Sequence, residues 1–292
     1  MSLKDRAILI TLGISSFAPR KTDKRVTSEV LNQHGAGHDA GRWIKNLLPE
    51  AALRPIGELD SEIRRFHYQR TLPWTDDGRR ILPTSAFDEY MTQMRAFRSA
   101  REARVKSFLD NYDRYVHEAK RILNGTFEQA DYPDRYTAQR RFSFRLDSVP
   151  IPSETDFRVS LSDGDMDDLR QSVRSQVERA EQLARNDLLL RLSEPLTHMV
   201  NRLGDGSAVF RDSLVENLRE IAALIPSLNV TGDPRIEALR AEITSKLCNF
   251  PAETLRTVEV IRGAVARDAQ SILDKMSAWL PSDVPCEMEA AA

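Results

Sequence analysis

His34-Gly-Ala-Gly-His38-Asp39 sets two imidazoles four residues apart, a spacing that on a helix brings two zinc ligands onto one face. The two intervening glycines oppose a helix, the glutamate of H-E-x-x-H is missing and no third ligand is near, so the segment reads as a loop. Asp163-Gly-Asp165-Met-Asp167-Asp168 matches positions 1, 3 and 5 of a calcium loop. Position 6 is Asp168 instead of glycine, and position 12 is Arg174 instead of a bidentate glutamate. Acids in the first turn of a long helix explain that run better, because they face the positive end of the helix dipole. The chain has no G-x-x-x-x-G-K-[ST], G-x-G-x-x-G or G-x-S-x-G. No catalytic residue, metal ligand or cofactor is therefore assigned, and a non-enzymatic role is expected.

Arginine carries the remaining chemistry. It supplies 34 of the 42 basic residues, and guanidinium suits bidentate contacts to phosphate or carboxylate. Arg95, Arg98, Arg101, Arg104 and Lys106 recur along one helical stretch, and Arg135, Arg140, Arg141 and Arg145 follow among Phe and Tyr. A basic surface with aromatics binds single strands by charge and stacking. The residues assigned to a partner or a phosphate are Arg140, Arg141, Arg145, Arg95, Arg98 and Arg101. Because Arg98, Arg101 and Arg104 recur every three residues, they drift around the helix instead of holding one line. The competing account is a solvated face paired with acids such as Asp167, Glu178 and Glu181.

The charge balance has the same polarity. Residues 1–145 hold 26 Lys+Arg and 19 Asp+Glu, whereas residues 146–292 hold 16 and 25, so a net charge of −2 conceals a basic half and an acidic half. Two cysteines, Cys248 and Cys286, make no disulfide framework and fit a reducing compartment. The apolar run Ala7–Ile14 is too short to span a bilayer, and no signal cleavage pattern follows it. A bacterial cytoplasm is expected, with no membrane association.

The elements that must position these residues follow from periodicity. Ile8–Phe17 reads as a strand, and Val26–Gln33 and Gly41–Leu48 as short helices. Ala51–Tyr68 places Leu53, Ile56, Leu59, Ile63 and Phe66 at helical spacing. Asp77-Gly78 between apolar pairs signals a hairpin over 71–83. Two long amphipathic helices are expected, over 84–123 and 163–203, the first stopped by Asn124-Gly125 and the second kinked or interrupted at Pro195. Between them, the alternating runs 141–146 and 156–161 read as an antiparallel pair. Helices over 207–225, 233–248 and 251–280 complete the chain. The expected fold is mainly α: an elongated antiparallel, coiled-coil-like stalk of long helices with a small β-hairpin tip and short N-terminal β-elements. Its divisions are an α+β region at 1–83, a stalk at 84–203 with its β-tip at 126–162, helices at 204–281 and a disordered tail at 282–292.

Asn111-Tyr-Asp113, Tyr132-Pro133 before a Phe-rich strand, and Leu228-Asn-Val-Thr-Gly-Asp-Pro234 after a helix also carry a likeness. The chain resembles a family of uncharacterised phage- and prophage-encoded proteins, a domain of unknown function whose genes lie near a MoxR-type AAA+ ATPase and a von Willebrand A-like protein. That resemblance implies an adaptor whose partner is a protein, either the AAA+ ATPase or a second copy of this chain, and it brings no catalytic residues. The alternative is a nucleic-acid-binding protein using the basic N-terminal half and the tip.

Overall fold

A computed structural model describes residues 2–75, 78–154, 162–204 and 212–279. In chain order the elements are β1 (Ala7–Ser15), β2 (Arg20–Thr22), α1 (Lys24–Gln33), β3 (Ile44–Asn46), α2 (Glu50–Arg70), β4 (Leu72–Pro73), β5 (Arg80–Pro83), α3 (Phe87–Asp110) and α4 (Tyr112–Leu123). They continue with α5 (Arg135–Gln139), β6 (Ser143–Pro150), α6 (Asp163–Gly204), α7 (Ser213–Leu228), α8 (Pro234–Lys246), α9 (Ala252–Thr257) and α10 (Glu259–Ser277). The fold is mainly helical with a small antiparallel sheet, as the periodicity predicts. The chain divides into two compact units that interleave in sequence. The first comprises Met1–Ile10, Arg70–Phe87 and Ser148–Ala292, and the second Thr11–Gln69 and Asp88–Asp147. The divisions expected at 83/84 and 203/204 both fall inside the first unit.

In the first unit β1 pairs antiparallel with β5 from Ala7↔Pro83 to Ile10↔Arg80, and β4 pairs with β5 at Leu72↔Ile81. These are the two arms of the expected hairpin, and Gly78 takes a φ of 80°, which only glycine adopts without strain. Asp77 lies outside the described residues. The buried stripe of α6 runs Ala180, Ala184, Leu188, Leu192, Leu196, Met199 and Leu203, and it packs on α7 and α10. Spacing of three and four keeps those positions on one face. The helix runs unbroken through Pro195, so of the expected kink or interruption the interruption does not occur. Leu192 and Leu196 on either side are fully buried, and that packing holds the helix across the one hydrogen bond proline cannot make. The single helix expected over 251–280 is two helices, α9 and α10, parted where Val258 is extended at φ −112° and ψ 97°. Thr257, Val258, Val260 and Ile261 crowd that junction, and β-branched side chains disfavour the helix. At α8 the Asp233 carboxylate accepts from the Arg235 N–H at 2.9 Å and caps the helix, with Pro234 at its first position.

The second unit is built around Phe108, whose ring meets those of Phe17, Tyr112, Tyr115 and Phe142 at 5.5–6.3 Å. Leu47, Leu48, Ala52, Ile56 and Ala138 complete that core. The α3 stripe of Tyr90, Met94 and Phe97 is buried, and Phe66 of α2 packs on Tyr90 and Phe97 at 5.7 and 5.5 Å. The long helix expected over 84–123 is broken at Asn111, whose side-chain amide donates to the Ser107 carbonyl at 2.8 Å and competes with the helical ladder. It ends at Asn124 as expected, in the left-handed region at φ 45°.

One local expectation fails in this unit. The segment Gly41–Leu48 is not a helix: Ile44–Asn46 is β3, paired with β2 in the register Arg20↔Asn46, Lys21↔Lys45 and Thr22↔Ile44. Of the expected tip pair the first strand is present as β6, which hydrogen-bonds to β1 in the sheet order β4-β5-β1-β6. The strand expected at 156–161 and the tail at 282–292 lie outside the described residues.

Candidate functional site

All six arginines singled out by sequence fall in the second unit, which carries 21 basic and 17 acidic residues against 21 and 27 in the first. The fold separates their roles. Arg101 is buried and belongs to the interior: Nε donates to Asp60 Oδ1 at 2.7 Å, and Nη2 reaches the Ser15 carbonyl at 2.8 Å and Ser16 Oγ at 3.0 Å. Ser16 Oγ in turn donates to Asp60 Oδ2 at 2.8 Å, so the buried carboxylate is met on both oxygens. This residue is a structural tie, and its assignment to a partner is corrected. Its partner acid lies on α2, not among Asp167, Glu178 and Glu181; Asp167 pairs with Arg170 within α6.

Arg95, Arg98, Arg140, Arg141 and Arg145 are exposed, and none has an ion pair among the described residues. Three of them lie over aromatic rings: Arg98 over Phe144 at 5.1 Å, Arg140 over Tyr136 at 5.9 Å and Arg141 over Phe17 at 5.9 Å. Such contacts hold a guanidinium beside a ring while leaving its N–H groups for an anion. Ser15 Oγ donates to the Arg141 carbonyl at 2.9 Å, which anchors the backbone from which these side chains project. Tyr136 itself is 68% exposed.

Beside this cluster, α3 and the segment from α5 to β6 enclose an open cavity of about 460 Å³. Arg98, Glu102 and Lys106 line it from one face of α3, Arg135 and Gln139 from α5, and half-buried Phe142 and Phe144 from the strand side. Lys106 Nζ pairs with Asp110 at 2.7 Å, and Arg135 with Asp113 at 2.9 Å. Glu102, Leu109, Asp110 and Gln139 are the lining residues that the sequence reading missed. The i, i+4 spacing of Arg98, Glu102 and Lys106 marks that face, and it is the spacing that the every-third-residue series obscures.

A second buried charge group braces the unit. Lys45 lies 3.2 Å from Asp23 and 2.7 Å from Asp131, donates to the Thr126 carbonyl at 2.9 Å, and shares Asp131 with Lys21. Burial works against the Lys45 charge, but Asp131 and Asp23 outweigh it and hold its pKa above the ordinary value. Burial, with the Asp113 charge beside it, pushes the Tyr112 phenol up to about 12, so it carries no proton traffic near neutrality. Its hydroxyl instead donates to the Pro133 carbonyl at 3.0 Å.

His34 and His38 sit exposed in a turn, with Gly35 at φ 60°. Asp163 and Asp165 occupy the first turn of α6. Among the described residues no group of three His, Cys, Asp or Glu side chains converges as a metal site would. No helix among them is long and apolar enough to cross a membrane. No family model matches the chain, and searches of curated proteins and of solved structures returned no match.

Proposed function

We propose that the chain is a non-enzymatic binding protein whose second unit holds single-stranded nucleic acid on the surface formed by α3, α5 and the start of β6. The observation that carries this reading is the set of exposed arginines without acid partners, three of them laid on aromatic rings. Unneutralised guanidinium groups beside the exposed Tyr136 ring and the half-buried Phe144 ring supply both halves of single-strand recognition, phosphate charge and base stacking. The antiparallel stalk expected from the sequence does not enter this reading, since the α3 stripe is covered by α2 and the α6 stripe by α7 and α10. The adaptor role next to an AAA+ ATPase rests on the resemblance alone.

The test is fluorescence anisotropy with a labelled oligothymidylate of roughly 12 nucleotides, titrated between about 50 and 200 mM salt. Three or four phosphate contacts give a slope of log K against log salt of about −2 to −3. Changing Arg98, Arg140, Arg141 and Arg145 together to Ser should weaken binding at least about tenfold and flatten that slope. No binding by the unchanged protein at the lowest salt would refute the reading. Equal binding by the fourfold variant would move the interface elsewhere.

A further inference from the structure

The cavity between α3 and β6 contains a group that phosphate binding does not need. Glu102 lines it one helical turn from both Arg98 and Lys106, and its carboxylate has no hydrogen bond or ion pair among the described residues. The other acid of the cavity, Asp110, is taken by Lys106. A free carboxylate beside a phosphate site repels phosphate, so it costs affinity unless the ligand brings hydrogen-bond donors to it. In the same lining Phe142 and Phe144 are half-buried, Phe144 under Arg98 at 5.1 Å and Phe142 with the buried Arg101 6.0 Å from its centroid, and Val105 and Leu109 add apolar surface. The volume of about 460 Å³ lies within the range of small-ligand sites.

We propose that this cavity reads a guanine base of the bound strand. The ring lies against Phe142, and its Watson–Crick edge donates N1–H and the 2-amino group to the two oxygens of Glu102. The inference rests on the single-strand reading above and adds base selection to it. Guanine is the base with two adjacent donors on that edge. Cytosine and adenine each offer one amino group beside a ring-nitrogen acceptor that faces the carboxylate, and thymine offers one N–H between two carbonyls. Arg98, stacked on Phe144, is placed to meet the phosphate of the same nucleotide.

The experiment compares oligothymidylates carrying one central guanine, hypoxanthine, adenine or cytosine, with affinity read by anisotropy. Hypoxanthine lacks only the 2-amino group, so the guanine strand should bind about tenfold tighter than the hypoxanthine strand. Glu102→Gln, an exposed and nearly isosteric change checked for folding by its melting temperature, should bring those two strands to equal affinity. Equal binding of all strands by the unchanged protein overturns this inference and leaves the single-strand reading standing. Guanine preference that persists in E102Q also overturns it, because the reading group then lies elsewhere. Failure to bind any strand removes both.

Discussion

Replacing Arg101 by Met leaves the Asp60 carboxylate buried with one hydroxyl donor, Ser16 Oγ at 2.8 Å, and strands the Ser15 carbonyl that the guanidinium now meets at 2.8 Å. Both side chains of the pair are about 5% exposed, at 4% and 6%, so water cannot replace the lost partner. Removing one member of such a pair costs about 3–5 kcal/mol, whereas removing both charges is close to neutral. Against a whole-protein stability of about 5–15 kcal/mol, R101M should therefore leave the second unit marginal. D60N, which leaves the arginine charge buried instead, should be similarly damaging. The double variant R101M/D60N should recover most of the loss, giving a coupling energy of about 3 kcal/mol or more. Urea unfolding followed by circular dichroism measures the four proteins, with hydrogen exchange at peptides of α2 and α3 isolating the second unit. If R101M costs less than about 1 kcal/mol, or if the two losses add, the tie is not what holds β1 to α2 and α3.

Three further outcomes follow from the same unit-by-unit reading. Asp23 is held below its ordinary pKa of 3.8 first by the Val26 N–H, with Lys45 opposing the effect of burial; Asp131 is raised by burial but drawn below 3.8 by Lys21 and Lys45. Carboxylates lowered by folding stabilise fully above that value and lose their contribution as pH falls below it, so the melting temperature should drop steeply under pH 3.8 and less steeply in D131N. Asn124 sits at φ 45°, so Asn124→Gly should raise stability by about 1 kcal/mol in urea unfolding, and a loss would show that its side chain matters more than its backbone. Burial pushes the Cys248 thiol above its ordinary 9.0, so in a C286S protein a disulfide reagent should react at least about tenfold faster in urea than in the native state.

Elements that carry their own signal were readable from the sequence. The α2 stripe of Ile56, Leu59 and Ile63, the Asp77-Gly78 hairpin arms and the Asn124 stop all depend on residues within a few positions of one another. What failed depends on distance. β6 pairs with β1, more than a hundred residues earlier, so its alternation announced a strand without naming its neighbour. Ile44–Asn46 is a strand because Lys45 is drawn between Asp23 and Asp131, and no local propensity records that attraction. The interleaving of the two units has the same origin, since each closes around contacts between segments far apart in sequence.

The candidate site illustrates how a repeat of charge can mislead while its geometry remains informative. At about 100° per residue, each step of three positions turns back by about 60°, so Arg98, Arg101 and Arg104 span about 120° of the α3 surface. Three environments result. Arg98 lies over Phe144 at the cavity, Arg101 turns inward to Asp60, and Arg104 donates to the Pro55 carbonyl of α2. The three do not form one phosphate stripe here, because they face the cavity, the core and the neighbouring helix in turn. The face that does persist follows the i, i+4 row of Arg98, Glu102 and Lys106, where the charges alternate plus, minus, plus. An alternating row would be poor for holding phosphates by charge alone. It suits a ligand that carries both an anion and hydrogen-bond donors, which is the chemistry of a nucleotide and not of a phosphate chain.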